Sequence, residues 1–170
     1  MNVPEIFFDP EEAKARGCGP RAIAAARWAK RAREEAFVLM EKVGLAFEDV
    51  PRPKIALAVA KGLDDEWNLS PEREAELRAL NPEEDWREVE VSDTICFWYF
   101  NFSDAEGCRF YLPAFLFAVL GEFPYSDRHG ILCLRSHPEK TALLNEVQLS
   151  CLLRFYELCE KYPEDHQHES

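Results

Sequence analysis

The sequence predicts a mainly α fold: a single compact helical domain built around a buried aromatic central helix. Three observations carry this. Small and apolar residues recur through residues 20–47 at spacings that alternate between three and four. Three segments open with a capping residue followed by proline: Gly19-Pro20, Ser70-Pro71 and Asn81-Pro82. Glycine is scarce, 7 in 170 residues, and no segment alternates apolar with polar over a strand's length. The chain has the length of one domain, and its 47% apolar content is enough for a core. Residues 1–162 are assigned to that domain and the polar residues 163–170 to a disordered tail.

The first helix is expected over residues 20–47, with Ala22, Ala25, Ala29, Ala32, Ala36, Leu39, Val43 and Ala46 as its packing seam. The prolines of VPRPK end it. A second helix is expected over 54–61, closed by Gly62 as a C′ glycine, with LDDEWNL as a loop. Ser70-Pro71 opens SPEREAELRAL, and Asn81-Pro82 opens PEEDWREV with Glu84 at N3. SDTICFWYFNF (92–102) reads as helix from its Ser-Asp start, against aromatics that favour strand. Residues 113–120 are apolar on every side, which makes them the central helix, started or kinked by Pro113 and stopped by Gly121. EFPYSDRHGILCLRSHPEK reads as irregular, with one turn or strand near 131–134. The last helix opens at Asn145 with Gln148 as capping-box partner and presents Leu149, Leu152, Leu153, Phe155, Tyr156 and Cys159.

Charge and cysteine usage narrow the function classes. A net charge of −12 disfavours nucleic acid and anionic membranes. The longest apolar run, residues 110–120, is about half the roughly 20 residues a membrane span needs. MNVPEIFFDPEE has no basic segment followed by an apolar one, so no leader is expected. Six cysteines without a CxxC pair, four of them in apolar runs, suit reduced thiols and a cytoplasmic location.

GLDDEWNLSPER (62–73) and FNFSDAEGCRFYLPAFLFAVLG (100–121) resemble a bacterial family catalogued as a domain of unknown function. An acidic-Trp segment, an F-x-x-x-E-G-x-R-x-Y-L-P-A signature and a C-terminal helix with a polar cap and a Gln mark that family; the last two are Asn145 and Gln148 here. The resemblance spans roughly residues 54–160 and leaves out the basic helix before it. It implies a small cytosolic bacterial protein and no activity, substrate or catalytic residue.

Several constellations are candidates for chemistry. Asp64, Asp65, Glu66 and Trp67 form an acidic cluster. Asp64, Glu66 and Asn68 match the first, third and fifth positions of a calcium loop, but Leu69 stands where glycine is needed and Ala75 where a bidentate Glu is needed. The simpler reading pairs these acids with the basic helix and anchors Trp67 on the core. His129, Cys133 and His137 are spaced by four, yet Gly130 and Pro138 oppose a helix that would gather them around zinc. Asp104 and Glu106 are a possible acid pair, more simply read as capping groups. Ser103 is expected to cap the turn and Gly107 to take a positive φ. Arg109 is expected to be partly buried and paired with Asp104, Glu106 or helix-end carbonyls. Tyr111 leads the chain inward. Residues 14–33 hold seven Lys/Arg and no acid. Within them Arg27, Lys30, Arg31 and Arg33 are either paired with the chain's own acids, solvated, or a docking strip for an acidic partner.

No nucleophile elbow, phosphate-binding glycine loop, HExxH or dinucleotide fingerprint is present. No catalytic residue, metal or cofactor is assigned. The expectation is a non-enzymatic interaction or regulatory module, immunity-type in one version, with another protein as partner. The alternative is a small hydrolase or metal-dependent enzyme using the acidic loop and the EGxR turn.

Overall fold

The structure is a computed structural model that describes residues 9–91 and 99–163. Those residues form helices and connections and contain no strand. In order they are α1 (Pro10–Ala15), α2 (Pro20–Ala46), α3 (Leu57–Glu66), α4 (Pro71–Arg78), a 3₁₀ turn (Trp86–Glu88), α5 (Ala105–Gly121), α6 (His129–Leu132) running into a second 3₁₀ turn (Cys133–Ser136), and α7 (Glu146–Lys161). Residues 99–102 are helical; the rest of the predicted 92–102 helix, and residues 164–170 of the tail, lie outside the described residues. The expected α class and buried aromatic centre are both present. The long α2 packs on α5 and on α7, α1 packs on α2, and α3 pairs with α4.

α2 begins as its Gly19-Pro20 start predicts, but the buried seam is Ala26, Ala29, Ala32, Ala36, Leu39 and Val43. Ala22 and Ala25 face solvent. A strict three-four alternation has a period of 3.5, while the helix has 3.6 residues per turn, so the pattern drifts by about 20° per heptad and leaves the packed face within three heptads. Alanine on the seam lets the neighbouring helices approach closely. The last carbonyls of α2 find donors from distant segments. Trp86 Nε1 donates to the Phe47 carbonyl at 2.8 Å, and Gln148 Nε2 donates to that of Ala46 at 3.1 Å. Gln148 also completes the predicted capping box: its Oε1 accepts from the Asn145 N–H at 3.1 Å and its own N–H donates to Asn145 Oδ1 at 2.9 Å.

α3 differs from expectation at both ends. It starts at Leu57 rather than Lys54 and runs through Gly62 to Glu66, so LDDE is helical. Gly62 is a packing glycine: a Cβ there would sit 2.4 Å from Leu77 Cδ1 on α4. Asn81, expected to open its own helix, caps α3 instead, its Oδ1 accepting from the Ala58 N–H at 2.7 Å. PEED is therefore not helical, and only Trp86–Glu88 makes a 3₁₀ turn, capped by Asp85. Two arginines bind the hairpin down. Arg78 donates to the carbonyls of Pro53, at 3.0 Å, and Lys54; Arg52 donates to the Asn81 carbonyl at 2.6 Å and pairs with Glu84 at 2.9 Å.

α5 begins eight residues before Pro113, which lies inside the helix and neither starts it nor kinks its first turn. Its N-cap is Asp104, accepting from the Gly107 N–H at 2.7 Å, while Ser103 is buried with its Oγ unpartnered. Gly107 has no positive φ; it is needed because a Cβ would lie 2.6 Å from Tyr99 Oη. Pro113 leaves the Arg109 carbonyl without its usual donor. The hydrophobic burial around it outweighs that loss: Phe110, Leu112, Phe115, Leu116 and Leu120 are fully buried. Edge-on ring pairs, Tyr99 with Tyr111 at 4.9 Å and Phe100 with Phe115 at 5.1 Å, fill the centre.

The stretch read as irregular carries α6 and its 3₁₀ continuation, in spite of Gly130. Arg128, 2% exposed, organises it. Its guanidinium donates to the Tyr162 carbonyl at 2.7 Å and to the Pro124 carbonyl at 2.6 Å, and lies 4.7 Å above the Phe123 ring. α7 buries Cys151, Leu152, Phe155, Tyr156, Leu158 and Cys159; Leu149 and Leu153, expected on its apolar face, are exposed. Its C-terminal end is tied to α2 through Glu35, which accepts from Lys161 Nζ and, at 2.8 Å, from Tyr162 Oη.

Gln148→Ala is expected to cost about 2–3 kcal/mol in chemical denaturation, because it strands two backbone groups, whereas Asn145→Ala costs about 1. The Lys161 hydrogen bond, aided by the Tyr162 hydroxyl, holds the Glu35 carboxyl below the usual carboxylate range. A lowered folded-state pKa contributes stability above the unfolded value, lost as pH falls through the folded one. The thermal midpoint should therefore be higher in wild type than in Glu35→Gln at pH of about 6, and the difference should shrink progressively as pH falls below the usual carboxylate range.

Candidate functional site

The acidic cluster sits where α3 hands over to α4. Its carboxylates are engaged locally: Lys61 pairs with Asp65 and, at 3.9 Å, with Asp64, and Arg73 holds Glu66 at 3.0 Å and Glu76 at 3.2 Å. The expected pairing with the basic helix does not occur. Residues 61–78 carry six acids against three cations, so the hairpin stays acidic. Trp67 is not a core anchor, because it is 89% exposed. It follows the last turn of α3 at φ 60° and ψ −32°, with its N–H on the Leu63 carbonyl at 3.2 Å. The Asn68 N–H returns to the Glu66 carbonyl at 2.7 Å, which closes a γ-turn with Trp67 at its centre. That turn is strained for any residue with a Cβ. An indole is thus held out in water, at a conformational cost, among acids.

Asp104, Glu106, Arg109 and Tyr111 form a separate group. Asp104 is a helix cap and Glu106 faces solvent. Arg109 is half-buried, as expected, but makes no hydrogen bond or ion pair with the described residues, and its Nε is buried without a partner. Its expected partners are unavailable: Asp104 is spent on the Gly107 N–H and Glu106 turns outward. Tyr111 is buried, with its hydroxyl against the Leu57 backbone at the start of α3. α3 is 10 residues long, so Tyr111 and Trp67 lie about 15 Å apart along its axis. The fold does not bring the two groups together.

The strip on α2 is left to solvent. Arg27, Lys30 and Arg31 are exposed and make no ion pair with the described residues; Arg33, half-buried, stacks 5.4 Å from the Phe37 ring. For Arg27, Lys30 and Arg31, the described residues therefore supply no internal carboxylate partner. His129 opens α6, Cys133 Sγ is turned to the Gly130 carbonyl at 2.8 Å, and His137 pairs with Glu139 at 3.1 Å. Among the described residues no three His, Cys, Asp or Glu side chains lie together in a way that could hold a metal. The large proton-affinity shifts come from burial: it pushes the Tyr111 hydroxyl and the Cys108 thiol each up to about 12 and raises the Tyr99 and Tyr156 hydroxyls as well. Such groups are neutral core members, poorly suited to nucleophilic or acid–base work at neutral pH.

The family of unknown function DUF6714 matches residues 36–170. The chain belongs to that family. The match begins partway along α2, so it takes in the acidic hairpin, α5 and α7, while residues 14–33 fall outside it. No curated protein and no solved structure matches the chain.

The residues that sequence reasoning missed are Arg52, Arg78 and Arg128, which spend their guanidinium groups on backbone carbonyls, and Asn81, which caps a helix 23 residues away. Their only sequence signal is a cation or amide beside a proline-rich bend. Trp67→Gly tests the hairpin. It relieves the γ-turn and removes little burial, so the thermal midpoint should stay level or rise. A core tryptophan cut to a small residue would instead cost about 3–5 kcal/mol.

Proposed function

We propose that this protein is a non-enzymatic interaction module that captures a cationic segment of another protein on the α3–α4 hairpin. The exposed Trp67 indole, held on a strained turn within an acidic surface, is the observation that carries the reading. Tryptophan is the residue most enriched at interface hot spots. Its ring face attracts guanidinium and ammonium groups, worth about 0.5–2 kcal/mol. Asp64, Asp65 and Glu66 add the long-range attraction that steers a basic partner. In the immunity-type version that partner is a basic toxin, held by its cationic surface. The enzyme reading draws no support from the acids, since each is a cap, a surface pair or solvent-facing. A cytoplasmic location fits the free thiols, and no helix among the described residues is long and apolar enough to cross a membrane.

The test is fluorescence anisotropy with a labelled Arg-rich peptide at low salt. Saturable binding is expected, weakened about tenfold or more by Trp67→Ala and by the Asp64→Asn/Asp65→Asn pair. Binding that ignores Trp67→Ala would overturn the proposal.

A further inference from the structure

The face of α2 opposite its buried seam carries Arg27, Arg31, Glu34, Val38, Glu41 and Leu45, spaced by four, three, four, three and four. That is the spacing of a coiled-coil seam. All six are exposed, Val38 at 54% and Leu45 at 76%. Lys30 and Lys42 flank the row, and Glu48 and Asp49 follow just beyond the end of the helix, also exposed. None of the charged residues in this set makes an ion pair or side-chain hydrogen bond within the described chain. The row is polarised along its length. Its N-terminal end is cationic (Arg27, Lys30, Arg31), Glu34 and Lys42 lie on either side of an apolar middle (Val38, with Phe37 beside it), and acids dominate its C-terminal end (Glu41, Glu48, Asp49). Arg27 and Asp49 stand towards opposite ends of α2, about 30 Å apart along it, so the two ends cannot neutralise each other within one chain.

Two copies laid antiparallel bring those ends together. We infer that α2 is a self-association face, on which a second copy of this chain docks across a two-fold axis at Val38. In that register Arg27 lies opposite the partner's Asp49 and Glu34 lies opposite the partner's Lys42. Each pair occurs twice, as an isologous interface requires. Val38 meets its own symmetry mate, with Leu45 covering the next turn beside Arg31. The groove of about 240 Å³ between α2 and α7, lined by Glu34, Glu35, Val38, Leu39, Lys42 and Arg154, opens at this midpoint and receives the partner's apolar side chains. A strip about 30 Å long and one helix wide is roughly 300 Å² per copy. A standard interface has about 800 Å² per partner, so the dimer is weak and exchanges quickly. The net charge of −12 on each copy weakens it further.

This inference is independent of the hairpin: Trp67→Ala leaves association unchanged. Sedimentation velocity across a concentration series up to about 1 mM tests it. The weight-average mass of the full chain should climb from 19.7 kDa towards twice that value. Glu34→Lys alone and Lys42→Glu alone each set like charges opposite one another twice, and each should weaken association about tenfold. The Glu34→Lys/Lys42→Glu double variant restores opposite charges and should return to within about threefold of wild type. Val38→Asp should leave only monomer. All these positions are exposed and unpaired, so far-UV circular dichroism should match wild type throughout. A wild-type mass that stays at the monomer value, single variants that associate as wild type does, or a double variant that fails to recover would each overturn the inference.

Discussion

The fold depends on where α2 ends. A helix leaves its last carbonyls without intrahelical donors, and one side of the α2 end faces the core, with Val43 and Phe47 fully buried. Their donors are Trp86, 39 residues from Phe47, and Gln148, 102 residues from Ala46. Arg87 adds a longer contact to the Gly44 carbonyl at 3.4 Å. The 27-residue helix therefore cannot finish until the 3₁₀ turn and the start of α7 have arrived beside it. Gln148 makes the linkage tight, because one side chain closes its own capping box and the end of α2 at once. Buried polar groups satisfied this way specify a single arrangement, since any other packing strands them.

The same logic governs the cationic side chains. Arg52, Arg78 and Arg128 have carbonyls within reach and are drawn into the structure, where a guanidinium satisfies two acceptors at once. Arg52 and Arg78 lock the α3–α4 hairpin to the chain on either side of it. Arg128 joins the end of α7 to the turn after α5. Arg27, Lys30 and Arg31 have no such acceptor, because they lie on the side of α2 away from every neighbour. The fold thus separates cations into those that carry structure and those that lie on a surface, and the sequence pattern alone does not distinguish the two.

What was legible in the sequence was local. The Ser70 cap, the Asn145–Gln148 box, the Gly19-Pro20 start and the apolar circumference of α5 each concern residues within a few positions of one another. Apart from the drift of the α2 seam, the failures involve a competitor from elsewhere. Asn81-Pro82 has the signature of a helix start, but the bare N-terminus of α3 takes the Asn81 side-chain oxygen first. Gly62 and Gly107 read as turn glycines because nothing local shows that Leu77 and Tyr99 need the space. Pro113 reads as a helix start, yet burial on both sides of it carries the helix through. Trp67 was the most misleading member of the candidate site: its bulk predicts burial, and only the extra turn of α3 past Gly62 carries it outward. The acid cluster itself was visible as a charge run, while its local pairing to Lys61 and Arg73 required knowing that α3 continues.

The geometry of α2 also sets how the two proposed surfaces relate. The hairpin follows the C-terminal end of α2, and the self-association row has its centre at Val38, about 12 Å of helix before that end. The two proposed surfaces share no residue, so each is tested by its own variants. A two-fold dimer would present two acidic hairpins on one particle, near opposite ends of the paired helices. A partner with two cationic segments of suitable separation would then bind the second as an intramolecular step, at an effective concentration on the order of millimolar. Two weak contacts of this kind give an avidity that neither gives alone, and it falls away on dilution as the dimer dissociates. The small area of the α2 face is in that case a working property: it makes partner capture depend on the concentration of the module itself.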